Sequence, residues 1–280
     1  MRRRLDAELV RRGLAESRTQ ARTWIEAGRV RVGGAPATKA SRMVDAGEPV
    51  LLEGDPPRYV GRGGEKLEAA LRAFALDPTG VRALDAGAST GGFTDCLLQH
   101  GADHVVALDV GHGQLHERLR GDERVTVLER TNLRHVDPGE LGAFPAIVAD
   151  LSFISLTTVM ERLLQLSARG AWLVLLVKPQ FEAGRQQVSR GRGVITDPQE
   201  WRGALVRVAT EAARRGATVR GAVPSPIRGA EGNVEFLLAL EQGAEPAEEL
   251  DQPSLERLDA AVAEAVAREA APPPGVEAAT

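Results

Sequence analysis

Residues 81–101 read VRALDAGASTGGFTDCLLQHG. The stretch opens as a short apolar strand, VRALDAG, and closes as a helix, GGFTDCLLQHG, with a glycine-rich turn between them. Further strands are predicted at HVVALDV (104–110), PAIVADL (145–151), AWLVLLVK (171–178) and NVEFLLAL (233–240). AWLVLLVK is a near-continuous apolar run, as a strand buried on both faces requires. Helical patterns fall at 65–75 and 198–215. Strands that alternate with helices predict a doubly wound, mostly parallel α/β sheet with helices on both faces.

In such a sheet the turn after the first strand lies at the carboxyl edge, where ligands bind. Its spacing is neither GxGxxG nor GxxxxGK[ST], so pyrophosphate cradling is not the obvious reading. An acid at the strand end followed by a glycine turn suits a cationic, phosphate-free cofactor such as S-adenosylmethionine. The candidate contacts are Asp85, Gly87, Ala88, Ser89, Thr90, Gly91, Gly92 and Phe93. Asp109 closes the next strand, where a carboxylate accepts hydrogen bonds from ribose hydroxyls. Asp150 and Leu151 close a third strand, and Asn132 is a candidate for the adenine side. A dinucleotide enzyme, or a structural turn with no ligand, is the alternative.

Four charged side chains fall at the ends of these elements. Lys66 starts the helix before the first strand, and Asp150 ends a strand. Lys178 ends LVLLVK before Pro179, and Glu235 lies near the start of NVEFLLAL. Unpaired charges beside buried runs cost heavily, so two lysines and two carboxylates brought together would neutralise one another. Such a cluster suits transfer to a ribose 2′-hydroxyl. That weak nucleophile must lose its proton as it attacks, and a lysine takes the proton or stabilises the alkoxide. Lys178, held between Asp150 and Glu235, is the expected centre. The bland alternative makes Lys66 a surface residue and Glu235 an ordinary salt-bridge partner.

The net charge of −4 conceals an asymmetry. Over residues 1–60 bases outnumber acids twelve to eight, whereas the last forty residues are strongly acidic. A basic end predicts a polyanionic partner. Within it, residues 2–12 read as an amphipathic helix, with Leu5, Leu9 and Val10 on one side. Ser17 reads as the N-cap of a helix over 18–27 that Gly28 stops. A small β-arm follows, to a boundary at Pro56-Pro57. The expected layout is a basic α+β RNA-binding domain over 1–57, a linker over 58–64 and a catalytic domain over 65–242. An Ala/Glu/Pro-rich tail over 243–280 is expected to be largely disordered, with a solvated helix at 254–270. Candidate RNA contacts are Arg2, Arg3, Arg4, Arg11, Arg18, Arg22, Arg29 and Arg62; phosphate contacts of this kind position a domain rather than read sequence. Cys96 stands alone, which excludes an intrachain disulfide and fits a reducing cytoplasm. No apolar window approaches the ~18 residues of a membrane span, and no secretory h-region follows the first arginines.

Several motifs together resemble the FtsJ-like family of RNA ribose methyltransferases, and more narrowly the TlyA family of rRNA (cytidine-2′-O)-methyltransferases, also known as bacterial haemolysins. They are GRGGEKL (61–67), LDAGASTGGFTDCLL (84–98), ALDVGHGQL (107–115), ERTNLR (129–134), ADLSFISL (149–156), VKPQFE (177–182), GVITDP (193–198) and GAEGNVEFLLAL (229–240). The resemblance spans about residues 2–240. It implies a seven-stranded Rossmann-like methyltransferase sheet and a Lys-Asp-Lys-Glu tetrad matched by Lys66, Asp150, Lys178 and Glu235. It also implies S-adenosylmethionine as cofactor with no metal required. The implied partner is ribosomal RNA or a ribosomal subunit in the cytoplasm, with no membrane and no obligate protein partner. The N-terminal domain would share the fold of a small-subunit ribosomal protein and of many pseudouridine synthases. The chain departs from the pattern near Tyr59, where other members often carry tryptophan. Three other readings compete: a non-catalytic ribosome-assembly factor that binds RNA, a membrane-damaging haemolysin, and a small-molecule O-methyltransferase, which would leave the basic domain without a purpose.

Overall fold

A computed structural model describes residues 2–15, 18–26, 28–54, 57–182, 194–229 and 231–271. The chain divides into two compact units, Met1–Pro57 and Arg58–Thr280.

The first unit holds β1 (Arg3–Arg4), α1 (Leu5–Arg11), α2 (Arg18–Glu26), β2 (Val30–Val32), β3 (Ala35–Pro36), β4 (Met43–Val44) and β5 (Val50–Leu52). Strands β3, β2 and β5 form one small antiparallel sheet, and β1 pairs with β4. The helices bury Leu5, Leu9, Ala21 and Ile25 against Val30, Val32 and Val44. Arg3 and Arg4 are extended rather than helical, because they pair with Val44 and Met43. Helix α1 therefore starts later than its sequence pattern suggests. Ser17, the expected cap of α2, and Pro56 lie outside the described residues, as do 183–193, which include Gly193 of GVITDP.

The second unit runs through α3 (Gly63–Ala73), β6 (Arg82–Ala86), α4 (Gly92–Gln99), β7 (His104–Leu108), α5 (Glu117–Arg120), β8 (Val125–Leu128), α6 (Pro138–Leu141), β9 (Phe144–Ala149) and α7 (Leu156–Gln165). It continues through β10 (Ser167–Val177), α8 (Pro179–Glu182), α9 (Pro198–Ala213), β11 (Ala217–Pro224), β12 (Phe236–Gln242) and α10 (Gln252–Ala270). Seven strands form one sheet in the order β11-β12-β10-β9-β6-β7-β8. The sheet is parallel from β10 to β8, and β12 lies antiparallel between β10 and β11.

Alternate residues along each strand feed two cores, as the pleat dictates. Ala83, Val105, Val148, Val174 and Leu237 meet α3 and α4 through Leu67, Leu71, Phe93 and Leu97. Leu84, Val106, Ile147, Leu173 and Leu238 meet α7, α9 and α10 on the other face. The sheet is doubly wound, and its seven strands agree with the expected count.

One expectation needs correction. Helix α10 is not solvated: Leu258, Ala261, Val262 and Ala265 form a buried stripe, and it packs on β11. The expected linker over 58–64 carries residues that pack within the second unit. Tyr59 is buried in the core beneath α3, and a Cβ on Gly64 would stand 2.2 Å from its ring. Helix α3 accordingly begins at Gly63 rather than Glu65. Residues 272–280 lie outside the described set.

Candidate active site

The antiparallel strand is what assembles the site. The parallel strands β6, β7, β9 and β10 end on one edge of the sheet. Because β12 runs the other way, its first residue, Phe236, pairs with Val177, the last of β10. Glu235 and Lys178 are thereby delivered to the same edge from opposite chain directions. Asp150 arrives there directly after β9, and Lys66 from the start of α3.

These four residues form two ion pairs. Lys66 Nζ lies 2.5 Å from Glu235 Oε2, with both side chains buried. Lys178 Nζ lies 2.7 Å from Asp150 Oδ1 and donates to Ser152 Oγ at 2.8 Å. The expected bracketing of Lys178 by Asp150 and Glu235 is thus replaced: Glu235 faces α3, so Lys66 takes it, and Ser152 supplies the second oxygen to Lys178. Sequence reasoning missed Ser152. Its one signal was a hydroxyl two residues past a strand-end acid. The next residue, Phe153, is 91% exposed and adopts φ of +64°. A left-handed non-glycine residue costs about 1–3 kcal/mol. Its ring rests on Phe181, centroids 5.4 Å apart.

The glycine turn lies beside this cluster. Gly87 sits at φ +86°, and a Cβ there would stand 2.6 Å from the Asp150 carbonyl oxygen, so the ends of β6 and β9 meet backbone to backbone. A Cβ on Gly92 would stand 2.9 Å from the Gly64 nitrogen, pressing the turn onto the start of α3. The end of β7 is tied in as well: Asp109 accepts from Ser89 N at 2.8 Å and from Gly111 N at 2.6 Å. Three strand-end acids therefore border one turn.

Their environments differ. Asp109 and Asp150 are part-exposed, whereas Asp85 is fully buried. Thr94 donates to Asp85 Oδ2 at 2.6 Å, and Oδ1 has no partner among the described residues. Burial above all pushes Asp85 up to about 7; the charges of Asp150 and Asp109 add to this, while the Thr94 bond opposes it. Ser89 and Thr90 are exposed, Gly87 and Leu151 half-buried, and Ala88, Gly91, Gly92 and Phe93 buried. Phe93 packs in the core against Gly63, supporting the turn from below. Asn132 accepts from Arg134 N at 3.1 Å, capping a short 3-10 turn.

In the first unit the candidate arginines are organised by two buried acids. Asp6, with no exposure, accepts from Arg4, Arg18 and Arg22 at 3.1, 3.0 and 3.3 Å. Burial alone would raise Asp6, but the three guanidiniums and the Ala7 amide outweigh it and hold the carboxyl well below its usual range. Glu8 binds Arg11 and Arg12, which hold it at about 2. Three cations on one anion leave a surplus of positive charge, and Arg18 and Arg22 keep about half their side-chain surface in solvent. Arg2 pairs with Asp45, Arg29 lies over Trp24 and donates to Glu53 O, and Arg3 is exposed. Arg62, in the second unit, is exposed just before α3.

Among the described residues no helix is long and apolar enough to cross a membrane. The FtsJ-like methyltransferase family matches residues 59–242, and the S4 domain matches residues 3–50. The chain is 52% identical, over 85% of its length and 89% of the relative's, to a Mycobacterium tuberculosis protein named 16S/23S rRNA (cytidine-2′-O)-methyltransferase TlyA. It is 43% identical, over 90% of each chain, to a Bacillus subtilis protein described as an rRNA methyltransferase. A solved structure from Streptococcus thermophilus, described as a hemolysin, superposes with a TM-score of 0.74 at 39% identity, over 96% of this chain and 98% of that one. With the tetrad and turn in place on the sheet edge, this chain belongs to the FtsJ-like methyltransferases, in the TlyA family, with an S4 domain at its amino end.

Proposed function

We propose that this chain transfers a methyl group from S-adenosylmethionine to the ribose 2′-hydroxyl of cytidine in ribosomal RNA. The observation that carries the reading is the pair of lysine–carboxylate bridges at the carboxyl edge, beside a turn bordered by three acids. That turn fits the cofactor chemically: the part-exposed carboxylates of Asp109 and Asp150 at adjoining strand ends suit a ligand with cationic sulfur and amine and neutral ribose hydroxyls. Asp109 and the 85–93 turn would hold it, with Asp150, Leu151 and Asn132 flanking. When bound, the cofactor supplies an electrophilic methyl group.

The chain's own residues do the rest. An ammonium has three N–H donors. Lys178 spends one on Asp150 and one on Ser152. Nζ also lies 5.7 Å from the Phe181 ring centroid; its third N–H would meet the 2′-oxygen as negative charge develops there, and a donor already held in place pays no reorganisation during reaction. Asp150, with 24% of its side chain exposed, is the tetrad carboxylate with a route to pass the departing proton to water. The Lys66–Glu235 bridge keeps the cluster neutral and fixes α3 over β12. Phe153, exposed beside Lys178, offers a face on which an unstacked base can lie. The arginines on Asp6 and Glu8 supply phosphate contacts from the S4 domain. This reading places the protein with ribosomal subunits in the cytoplasm.

The test is to incubate the purified chain with methyl-labelled S-adenosylmethionine and ribosomal subunits from cells lacking it, then digest the RNA to nucleosides. Label should appear as 2′-O-methylcytidine. Label on a base, on another nucleoside, or on no RNA at all refutes the assignment.

A further inference from the structure

The turns that follow β9 and β10 are fastened together at three levels. Lys178 reaches back to Asp150 and Ser152. Phe181 lies against Phe153, the two rings tilted by 47° with centroids 5.4 Å apart. Beyond both, Glu182 Oε2 accepts from Ser155 Oγ at 2.5 Å, and its Oε1 accepts from Leu156 N at 2.8 Å. Ser155 is the N-cap of α7, with its hydroxyl accepting from Thr157 N at 3.1 Å. In a capping box the acid three residues past the cap serves the helix start. Here that position is Thr158, which cannot, and the acid comes instead from the neighbouring turn. Burial raises the Glu182 carboxyl, while the Ser155 and Leu156 bonds oppose that rise. A half-buried acid thus joins the two loops through side-chain and backbone donors of the first.

We propose that Glu182 is a positioning residue for methyl transfer, setting the spacing between Lys178 and the segment that carries Asp150 and Ser152. This rests on the reading of Lys178 as the group that meets the 2′-oxygen. The logic is geometric. Asp150 and Ser152 lie on a segment running from β9 into α7, and Lys178 on one running from β10 into α8. Residue 153 of the first segment is in a strained backbone conformation, so the segment does not hold its shape by itself. Glu182 closes its far end onto the lysine's own turn. Asp150 is held by its own backbone against Ala86 and Gly87, so relaxing that closure lets Ser152 drift from Nζ while Asp150 and the glycine turn stay in place.

The test uses the full chain and two conservative variants. Glu182→Asp keeps the charge but shortens the reach by one methylene; Glu182→Gln keeps the reach and an acceptor for Leu156 N. Single-turnover transfer at saturating cofactor and RNA is measured alongside the Kd for S-adenosylhomocysteine. Displacements on the ångström scale cost up to about 100-fold in rate. Glu182→Asp should lose at least about tenfold in rate with Kd changed less than about twofold, and Glu182→Gln should stay near wild type. In combination with Ser152→Ala the loss from Glu182→Asp should shrink, because the position it secures is already gone. Wild-type rates in Glu182→Asp overturn the inference, as does a parallel fall of rate, cofactor affinity and thermal midpoint in both variants. Lys178→Ala serves as the control: if it transfers methyl normally, the underlying reading has failed, whereas an inactive Lys178→Ala beside a fully active Glu182→Asp sinks only the role of Glu182.

Discussion

Lys66 and Glu235 stand 169 residues apart in the chain and 2.5 Å apart in the fold. The bridge ties the first helix of the catalytic unit to its last strand, with both partners out of solvent. A buried pair of this kind is weak evidence for stability by itself, because desolvation offsets the attraction. Its position at the edge that also holds Lys178 points to placement of charge.

Removing one partner strands the other's charge. Lys66→Ala or Glu235→Ala should each cost about 3–5 kcal/mol in denaturant unfolding. Replacing both with methionine should recover most of that loss while methyl transfer stays depressed. A double variant that regains activity together with stability would show the bridge to be structural only.

Lys178→Ala should abolish transfer while sparing the fold and cofactor binding. Loss of one preorganised donor to a developing oxyanion typically costs about 10²–10³-fold, and the Asp150 carboxylate left without its counter-ion adds to it. Lys178→Arg should fail as well, since a planar guanidinium cannot match a compact ammonium held by Asp150 and Ser152. Single-turnover rates with saturating cofactor and RNA are the measurement. A near-normal Lys178→Ala would leave positioning as the whole mechanism.

Arg18 and Arg22 both rest on Asp6 and both face solvent. If each meets a phosphate, the double Arg18→Ala, Arg22→Ala variant should bind ribosomal RNA more weakly at low salt. Its log Kd should also depend less steeply on log salt, by about one to two slope units. Filter binding across a salt series reads this directly. An unchanged slope would place the phosphate contacts elsewhere on the chain.

How much of this was legible in sequence follows from where each element lies. The central strands declared themselves as apolar runs because both faces are covered. Strands β8 and β11 did not: they are the edges of the sheet, VTVL has no fully buried position, and ATVRGAVP mixes exposed with buried ones. Lys178 and Glu235 stood out as charges beside buried runs and Asp150 as a strand-end acid, whereas Lys66, at a helix start, joined them through the family resemblance. Their pairing could not be named, since it depends on α3 crossing β12 and on a serine in a loop. Helix α10 was misjudged for a compositional reason. Its Ala- and Glu-rich sequence reads as solvated, and the spacing of Leu258, Ala261, Val262 and Ala265 was the overlooked sign of a packed face.

Asp109 serves two masters, accepting amides from Ser89 and Gly111 on its own side of the turn. Asp109→Ala should therefore raise the Kd for S-adenosylhomocysteine by at least about tenfold, the worth of one charge-assisted hydrogen bond. Calorimetry decides the point. Unchanged affinity would remove Asp109 from the cofactor site.

Asp85 gives the fold a pH signature whose sign is fixed by burial. Its carboxyl sits near 7 in the folded chain against an ordinary value of 3.8. The folded state therefore holds a proton that the unfolded state has released. Stability is greatest below the unfolded value, falls as pH rises through the interval, and levels off above about 7. Between pH 5 and pH 8 the loss from this one group is on the order of 2–3 kcal/mol. Asp85→Asn keeps an oxygen for Thr94 and cannot ionise, so its gain over the parent chain should be larger at pH 8 than at pH 5 by that amount. Denaturant unfolding of both proteins at the two pH values measures the difference. Parallel stability curves would mean that Asp85 titrates as an ordinary carboxylate, and that the unpartnered Oδ1 finds a partner in solution.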